Sequence, residues 1–487
     1  MIRTLDLVKE FEQKFKVDQW AVNGLKVWPV LRIELVTVWE RHIYYGDIKQ
    51  DKSLTWLDHL RKELDNFRRG IKIRLSGKHR NDASPVDVLV FGYDASRRFK
   101  VKGKDYSITA DAMQDIYGAK HRIRAADWNL TRETDPYYPT LNYTLQAAFV
   151  NLFSSLFHPL FQPRLQNIPF REINSWCEDR IGPDMGISPR MVKRIFLKVK
   201  LWRLLARRIL RILKPKLVFI EEFYGKLGFG IILACKDMGV RVYDLQHGIA
   251  GASYARGYCD WSRHPETGFR MMPDGFWCWS TPDKEAIDSW GKTVSTPPRT
   301  VVGGKLEKII FDNGVLDRTP YQDDVRQLTE SAYERKILIS LQHNSVSEQI
   351  VNLIQRSPAD WFWCIRSHPR LAPSPDLVQL VKDRSNCEYE ISTRLPVFEL
   401  LDFVDCHVTL WSTVTLDALY SGVPSVILHR SGIEIYERII DDEKVTFSET
   451  AEAAIKFIAG TTRFQPEKIS TIDLEALSHH DGSMGGV

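Results

Sequence analysis

Residues 361–370 read WFWCIRSHPR, and residues 407–424 read HVTLWSTVTLDALYSGVP. The first is an unbroken apolar run over 361–365, too short for a helix and closed by Arg366, His368, Pro369 and Arg370. It predicts a buried strand that ends in a cationic, imidazole-bearing turn. The second predicts a strand over 407–410, then a Ser412-Thr413 pair at a helix N-cap and a helix to Tyr420. Gly422 follows the helix, and Pro424 opens the next strand. Open α/β sheets bind ligands at the carboxyl ends of their strands. Two such turns side by side would offer backbone N–H groups, hydroxyls, an imidazole and guanidinium groups to a phosphate or diphosphate.

Working outward, ERKILISLQHNS (334–345) predicts a first strand for the same sheet, ending in Gln342, His343 and Asn344. Further strands are expected at 361–366, 387–391 and 406–410 with helices between them, the grammar of a parallel sheet. The charged stretch 311–335 reads as a linker or insertion. Upstream, residues 214–248 read KPKLVFIEEFYGKLGFGIILACKDMGVRVYDLQHG. They predict a strand over 217–220, a glycine-bearing turn, a helix to Met238 and a second strand ending in Gln246-His247-Gly248. Glu221 and Glu222 close the first of these strands. A buried strand tolerates two adjacent acids only where its end opens to solvent or a ligand. The pair is therefore a general-base candidate, and the competing reading is that both acids cap the turn. His247 stands at the same edge, as a cleft or a core histidine.

PVDVLVFGYDASRRF (85–99) predicts a strand over 86–91 with Asp94 and the Arg97-Arg98 pair at its carboxyl end. Segments within 105–165, and all of 189–213, are helical by period; the second is basic and amphipathic, read as a solvated face, with membrane or polyanion contact as the alternative. A strand over 276–279 and a helix capped at Ser280 or Thr281, with Pro282 in its first turn, lead to a strand and the Gly303-Gly304 turn, where one domain hands over to the next. Residues 1–84 are helical in pattern, with Trp20, Trp28, Trp39, Tyr44, Tyr45 and Trp56 beside Arg and Lys. Either these pack a helical bundle on the domain behind it, or they form a basic aromatic surface for a membrane leaflet. The expected fold is α/β: two doubly wound Rossmann-like domains facing across a cleft (85–300 on the acceptor side, 301–465 for the nucleotide), with a helical region at 1–84 and a tail at 466–487.

Composition bounds the function. The 487 residues carry 44% hydrophobic and 26% charged side chains, ordinary for globular protein. A net charge of +5 favours anionic ligands or an anionic membrane surface but falls short of a dedicated nucleic-acid binder, so no nucleic-acid partner is expected. Seven scattered cysteines with no CxxC pair suggest reduced core residues in the cytoplasm and no zinc. No signal core and no stretch of about eighteen uninterrupted apolar residues is visible. The expected location is cytoplasmic, with peripheral contact at the inner face of the membrane.

With these residues in view, the chain resembles bacterial GT-B glycosyltransferases of surface-polysaccharide assembly, and within them the users of CMP-activated acid sugars: sialyl-, polysialyl- and Kdo transferases. His368-Pro369 looks like that group's HP motif on the nucleotide phosphate, and Ser412-Thr413 like its paired-hydroxyl motif on the same phosphate. Glu221-Glu222 looks like the acidic element that supplies the base, although Gly225 follows Glu222 by three residues rather than directly. The resemblance covers about residues 85–460 and implies transfer of a Kdo- or sialic-acid-type sugar from a CMP-sugar to a lipopolysaccharide or capsule glycan, or its lipid-linked precursor. Neutralising one phosphate takes an imidazole, two hydroxyls and a helix N-terminus, so no metal and no cofactor beyond the donor is expected. Arg366 and Arg370 are candidate partners for the phosphate or the sugar carboxylate. Asp417 is placed for ribose hydroxyls or is an exposed helix residue; Gln342, His343 and Asn344 are donor-side contacts, and Asp94 and Arg97 are acceptor-side ones. Three alternatives stand: a UDP- or GDP-sugar or CDP-polyol donor on the same fold, a UDP-sugar epimerase, and a non-catalytic assembly partner.

Overall fold

The structure, a computed structural model, describes residues 4–45, 56–75, 84–93, 96–128, 135–250, 261–330, 332–342, 346–367, 372–441 and 443–479. Two units divide the chain. The first takes the described residues to Ala250, then those through Ile310, and those from Ser470 onward; the second runs from Phe311 to Ile469.

Seven parallel strands form the first unit's sheet: β1 (Val88–Tyr93), β2 (Ile123–Trp128), β3 (Thr140–Asn142), β4 (Leu217–Glu221), β5 (Arg241–Leu245), β6 (Gly275–Cys278) and β7 (Arg299–Val302). Their spatial order is β7-β6-β5-β4-β1-β2-β3. The chain therefore starts in the middle of the sheet, builds outward one way, then returns and builds the other way, with its switch point between β1 and β4. All five residues of β4 are buried, as a strand covered by helices on both faces requires. The helical reading of 105–165 holds for Ala110–Tyr117 and for Thr144–Phe157 but misses β2, β3 and the hairpin Arg97–Val101/Lys104–Ser107. The reason is chemical: β2 (IRAADW) carries Asp127 inside the fold, paired with Arg97, so no apolar run marks it.

The second unit's sheet comprises β8 (Arg335–Ser340), β9 (Trp361–Arg366), β10 (Cys387–Glu388), β11 (Cys406–Thr409), β12 (Ser425–Ile427) and β13 (Val445–Phe447), parallel throughout and ordered β10-β9-β8-β11-β12-β13. This is the Rossmann order 3-2-1-4-5-6, with its switch point between β8 and β11. The two doubly wound sheets expected from the sequence are therefore present. Residues 311–335 are not a linker: Phe311 and Leu328, the latter on the helix Gln322–Thr329, are buried in this unit's core beside Phe398.

The amino-terminal helices α1 (Thr4–Phe15), α2 (Trp28–Tyr45) and α3 (Trp56–Leu75) belong to the first unit. Trp20, Trp28 and Trp39 are fully buried around Phe11, whose ring centroid lies 5.3 Å from that of Trp176. Packing, not a membrane leaflet, accounts for these three tryptophans; Tyr44, Tyr45 and Trp56 have side chains outside the described set. Beyond α4 (Thr144–Phe157), the basic helix α5 (Pro189–Leu213) opens at Ser188, whose side chain accepts from the Met191 N–H at 3.2 Å. Its apolar stripe lies on α6 (Lys226–Met238). There Gly230 permits the approach, since a Cβ at that position would stand 2.5 Å from Trp202 Cβ. The expected tail is docked in part: the Ala476 carbonyl accepts from Arg299 at 2.8 Å, and the Ile472 N–H donates to Tyr117 at 3.3 Å. Six cysteines are buried and reduced; Cys259 lies outside the described residues. No helix among the described residues is long and apolar enough to cross a membrane.

Candidate functional site

At the first switch point, β1 and β4 end together. Glu221 closes β4, buried, and its Oε2 accepts from Ser96, the residue that follows β1 by three, and from Thr109 at 3.2 Å. Glu222 follows half-buried in the left-handed region, φ 66°, a conformation that costs a non-glycine residue about 1–3 kcal/mol. The turn beyond is pinned by the Phe223 N–H donating to Asp244 at 2.8 Å. Leu245 is in register with Glu221, so His247 emerges past the same sheet edge. Its Nε2 lies 2.6 Å from the Tyr224 hydroxyl, and the two rings are 5.3 Å apart. Glu221, Glu222 and His247 thus share one edge, as expected. Ser96, Thr109 and Tyr224 were not read from the sequence; a hydroxyl three residues past the first strand was the available signal for Ser96.

Arg97 is corrected. It is buried rather than open to an acceptor, donating to Asp127 at 2.7 Å, to Asp111 and the Asp105 carbonyl at 3.0 Å, and to Thr140 at 3.0 Å. Two carboxylates thus share one guanidinium. Desolvation pushes Asp111 up to about 6 against the pull of Arg97. Its Oδ1, also buried, makes no hydrogen bond. Arg97 is a positioning residue that ties β2, β3 and the hairpin behind the switch point. Asp94 lies outside the described residues.

At the second switch point the sequence placed Gln342, Ser412 and Thr413, and the structure brings the three together. Thr409 Oγ1 stands 2.8 Å from the Ser340 carbonyl and 2.8 Å from the Gln342 amide. That amide is oriented with Oε1 toward the N–H groups of Trp411, at 3.2 Å, and Ser412, the orientation that gives both donors an acceptor. The helix α7 (Val414–Tyr420) begins behind them. Its early N–H groups bond within the turn: Val414 to Ser412 Oγ at 3.3 Å, Thr415 and Leu416 to the carbonyls of Ser412 and Thr413 at 3.0 Å. The expected open N–H cradle is therefore corrected; what the turn presents is the exposed Thr413, whose side chain makes no capping bond, and the half-exposed Ser412. Tyr436 braces the turn, donating to the Ser412 carbonyl at 2.5 Å. Asp417 is 6% exposed, which removes the exposed-helix reading. Arg366 is also given a task of its own: its Nη1 donates to the carbonyls of Ser392 (2.8 Å), Thr393 (3.2 Å) and Leu395, closing the helix end at residues 390–394. His343, Asn344, His368, Pro369 and Arg370 lie outside the described residues.

One buried histidine went unread. His407 of β11 bridges three neighbouring strands, with Nε2 2.7 Å from Ser340 Oγ and Nδ1 3.0 Å from Ser425 Oγ. Burial lowers it to about 3, so it is neutral. Among the described residues no group of three His, Cys, Asp or Glu side chains is placed to hold a metal ion.

No family model matches the chain, and no curated protein matches it. Solved structures with a similar layout include a UDP-GlcNAc 2-epimerase from Neisseria meningitidis bound to UDP-GlcNAc, 12% identical over 76% of this chain and 89% of that one, TM-score 0.45. The glycosyltransferase SnogD from Streptomyces nogalater is 15% identical over 77% and 95%, TM-score 0.36. The wall teichoic acid polymerase TagF is 12% identical over 81% and 87%, TM-score 0.37. At such identities and scores these likenesses carry no residue, substrate or activity over to this chain.

Proposed function

We propose that the protein is a GT-B glycosyltransferase that takes an acid sugar from a CMP-sugar and delivers it to a surface-glycan acceptor. The observation that carries this reading is the strand order of the second unit, which sets Gln342, Ser412 and Thr413 at a Rossmann switch point, the place where such sheets take nucleotides. The CMP-sugar donor rests on the paired hydroxyls and on His368-Pro369 in the sequence. In this reading Ser412 and Thr413 donate to the single phosphate of the donor, His368 is a further phosphate contact taken from the sequence motif alone, and charge developing on the leaving CMP is met by donors fixed in advance. Gln342 and Tyr436 hold the turn that aims the hydroxyls.

The first unit supplies the base. Glu221 already accepts two hydroxyl hydrogen bonds and is fixed by them, whereas Glu222 is held in a strained turn at the sheet edge. We assign proton abstraction to Glu222: it takes the acceptor hydroxyl proton, the oxygen bonds to the anomeric carbon, and the bond from that carbon to the phosphate oxygen breaks with its electron pair leaving on CMP. His247, steadied by Tyr224, is assigned the task of orienting the acceptor. The test is Glu222→Gln against Thr413→Ala with a CMP-acid-sugar donor. The first keeps CMP affinity and loses turnover; the second weakens CMP binding. Turnover at the parent rate in Glu222→Gln removes the base assignment.

A further inference from the structure

Residues 136–163 contain no Asp, Glu, Lys or Arg. Helix α4 lies within this stretch, and its outer stripe is apolar: Phe149 is 50% exposed, Leu156 and Phe157 are each 42% exposed, and Leu160 just beyond the helix is 77% exposed. The phenylalanines along it pack on one another, Phe149 tilted against Phe153 at 5.6 Å and Phe153 stacked on Phe157 at 4.3 Å. Apolar side chains exposed singly need no explanation, but a continuous stripe does.

Cations border it. Helix α5 holds nine Lys and Arg and no acid. Three of these cations meet the corner after α4: Arg190 donates to His158 at 3.2 Å, Lys193 donates to Gln162, and Lys200 lies 5.4 Å over the Phe161 ring. None of these partners is an acid. On the other side α3 touches α4, with the Cβ direction of Gly70 2.9 Å from Leu145 Cα. After its last acid, Asp65, α3 runs through exposed Arg68, Arg69, Lys72 and Arg74, with Ile71 and Leu75 exposed among them.

We infer that this three-helix face docks on an anionic lipid bilayer. An uncharged aromatic stripe set between two cationic helices matches the boundary of acyl chains and headgroups: the phenylalanines and leucines enter the acyl region while Lys and Arg meet lipid phosphates. A protein partner would have to match both the uncharged stripe and the cations on either side of it, whereas an anionic bilayer does so with one surface. The face is independent of the donor and base assignments above.

The experiment is vesicle flotation of the full chain with neutral phosphatidylcholine vesicles and with vesicles containing phosphatidylglycerol, at low and high salt. Binding is expected only to the anionic vesicles, and high salt weakens it. Lys193→Glu with Lys200→Glu lowers the partition about tenfold or more. Phe149→Ser with Leu160→Ser lowers it comparably, although these exposed positions leave the melting temperature near that of the parent. The idea is overturned if the parent ignores anionic vesicles, if both double variants float as the parent does, or if the parent is a dimer that the Phe149→Ser, Leu160→Ser variant makes monomeric.

Discussion

His407 sits neutral among Ser340 and Ser425, and its depressed pKa ties the second sheet to pH. The unfolded chain binds this proton near 6.5 and the folded chain only near 3, so the stabilisation is whole above 6.5 and is lost as pH falls toward 3. By pH 5 the loss amounts to about 2 kcal/mol. Chemical denaturation at pH 7 and pH 5 should show it, with a flatter response in His407→Gln even though that variant is weaker at pH 7. Glu222 makes a second prediction. Glycine adopts φ 66° without strain, so Glu222→Gly should raise stability by about 1 kcal/mol while abolishing transfer. A variant that is both more stable and fully active would mean the strain serves no reaction. Around Arg97, one acid carries a pH dependence. Asp111, raised to about 6, favours the fold in its protonated form, and that contribution declines as pH rises from about 4 to 6. Asp111→Asn should therefore be tolerated at pH 8, whereas Arg97→Ala, which strands two buried carboxylates, should cost about 3–5 kcal/mol.

Elements were legible where burial was uniform. The apolar runs of β1, β4, β8 and β9 placed those strands within two residues of their observed ends, and the period of α5 matched its observed span. β2, β3 and the Arg97–Val101 hairpin were not legible, since their identity rests on Arg97 and Asp127 meeting across thirty residues, which no local window contains. The same limit applied at the site. Glu221, Glu222, Gln342, Ser412 and Thr413 stood at strand ends and could be read; Ser96 had only its place just past a strand as a signal, and Thr109, Tyr224 and Tyr436 reach it through tertiary contact. The contact of α5 with α6 gives a prediction at this scale. Gly230→Leu drives a side chain into the Trp202 and Val199 backbone region and should destabilise by about 1–3 kcal/mol, read as a lower denaturation midpoint with unchanged slope.

At the scale of the whole molecule, two sheets of the same winding order stand in one chain, one with carboxylates at its switch point and one with hydroxyls and an amide at its own. In the proposed function, proton removal falls to the carboxylates and phosphate handling to the hydroxyls, and that proposal predicts that nucleotide alone binds and stabilises the protein. A ligand at about 100 times its Kd adds about 2.7 kcal/mol. Calorimetric titration with CMP, UDP, GDP and CDP, without metal and then with magnesium, tests this most directly. Selective, metal-independent binding of CMP that weakens in Thr413→Ala and in His368→Ala is the predicted result. Preference for UDP, or no nucleotide binding at all, would contradict it.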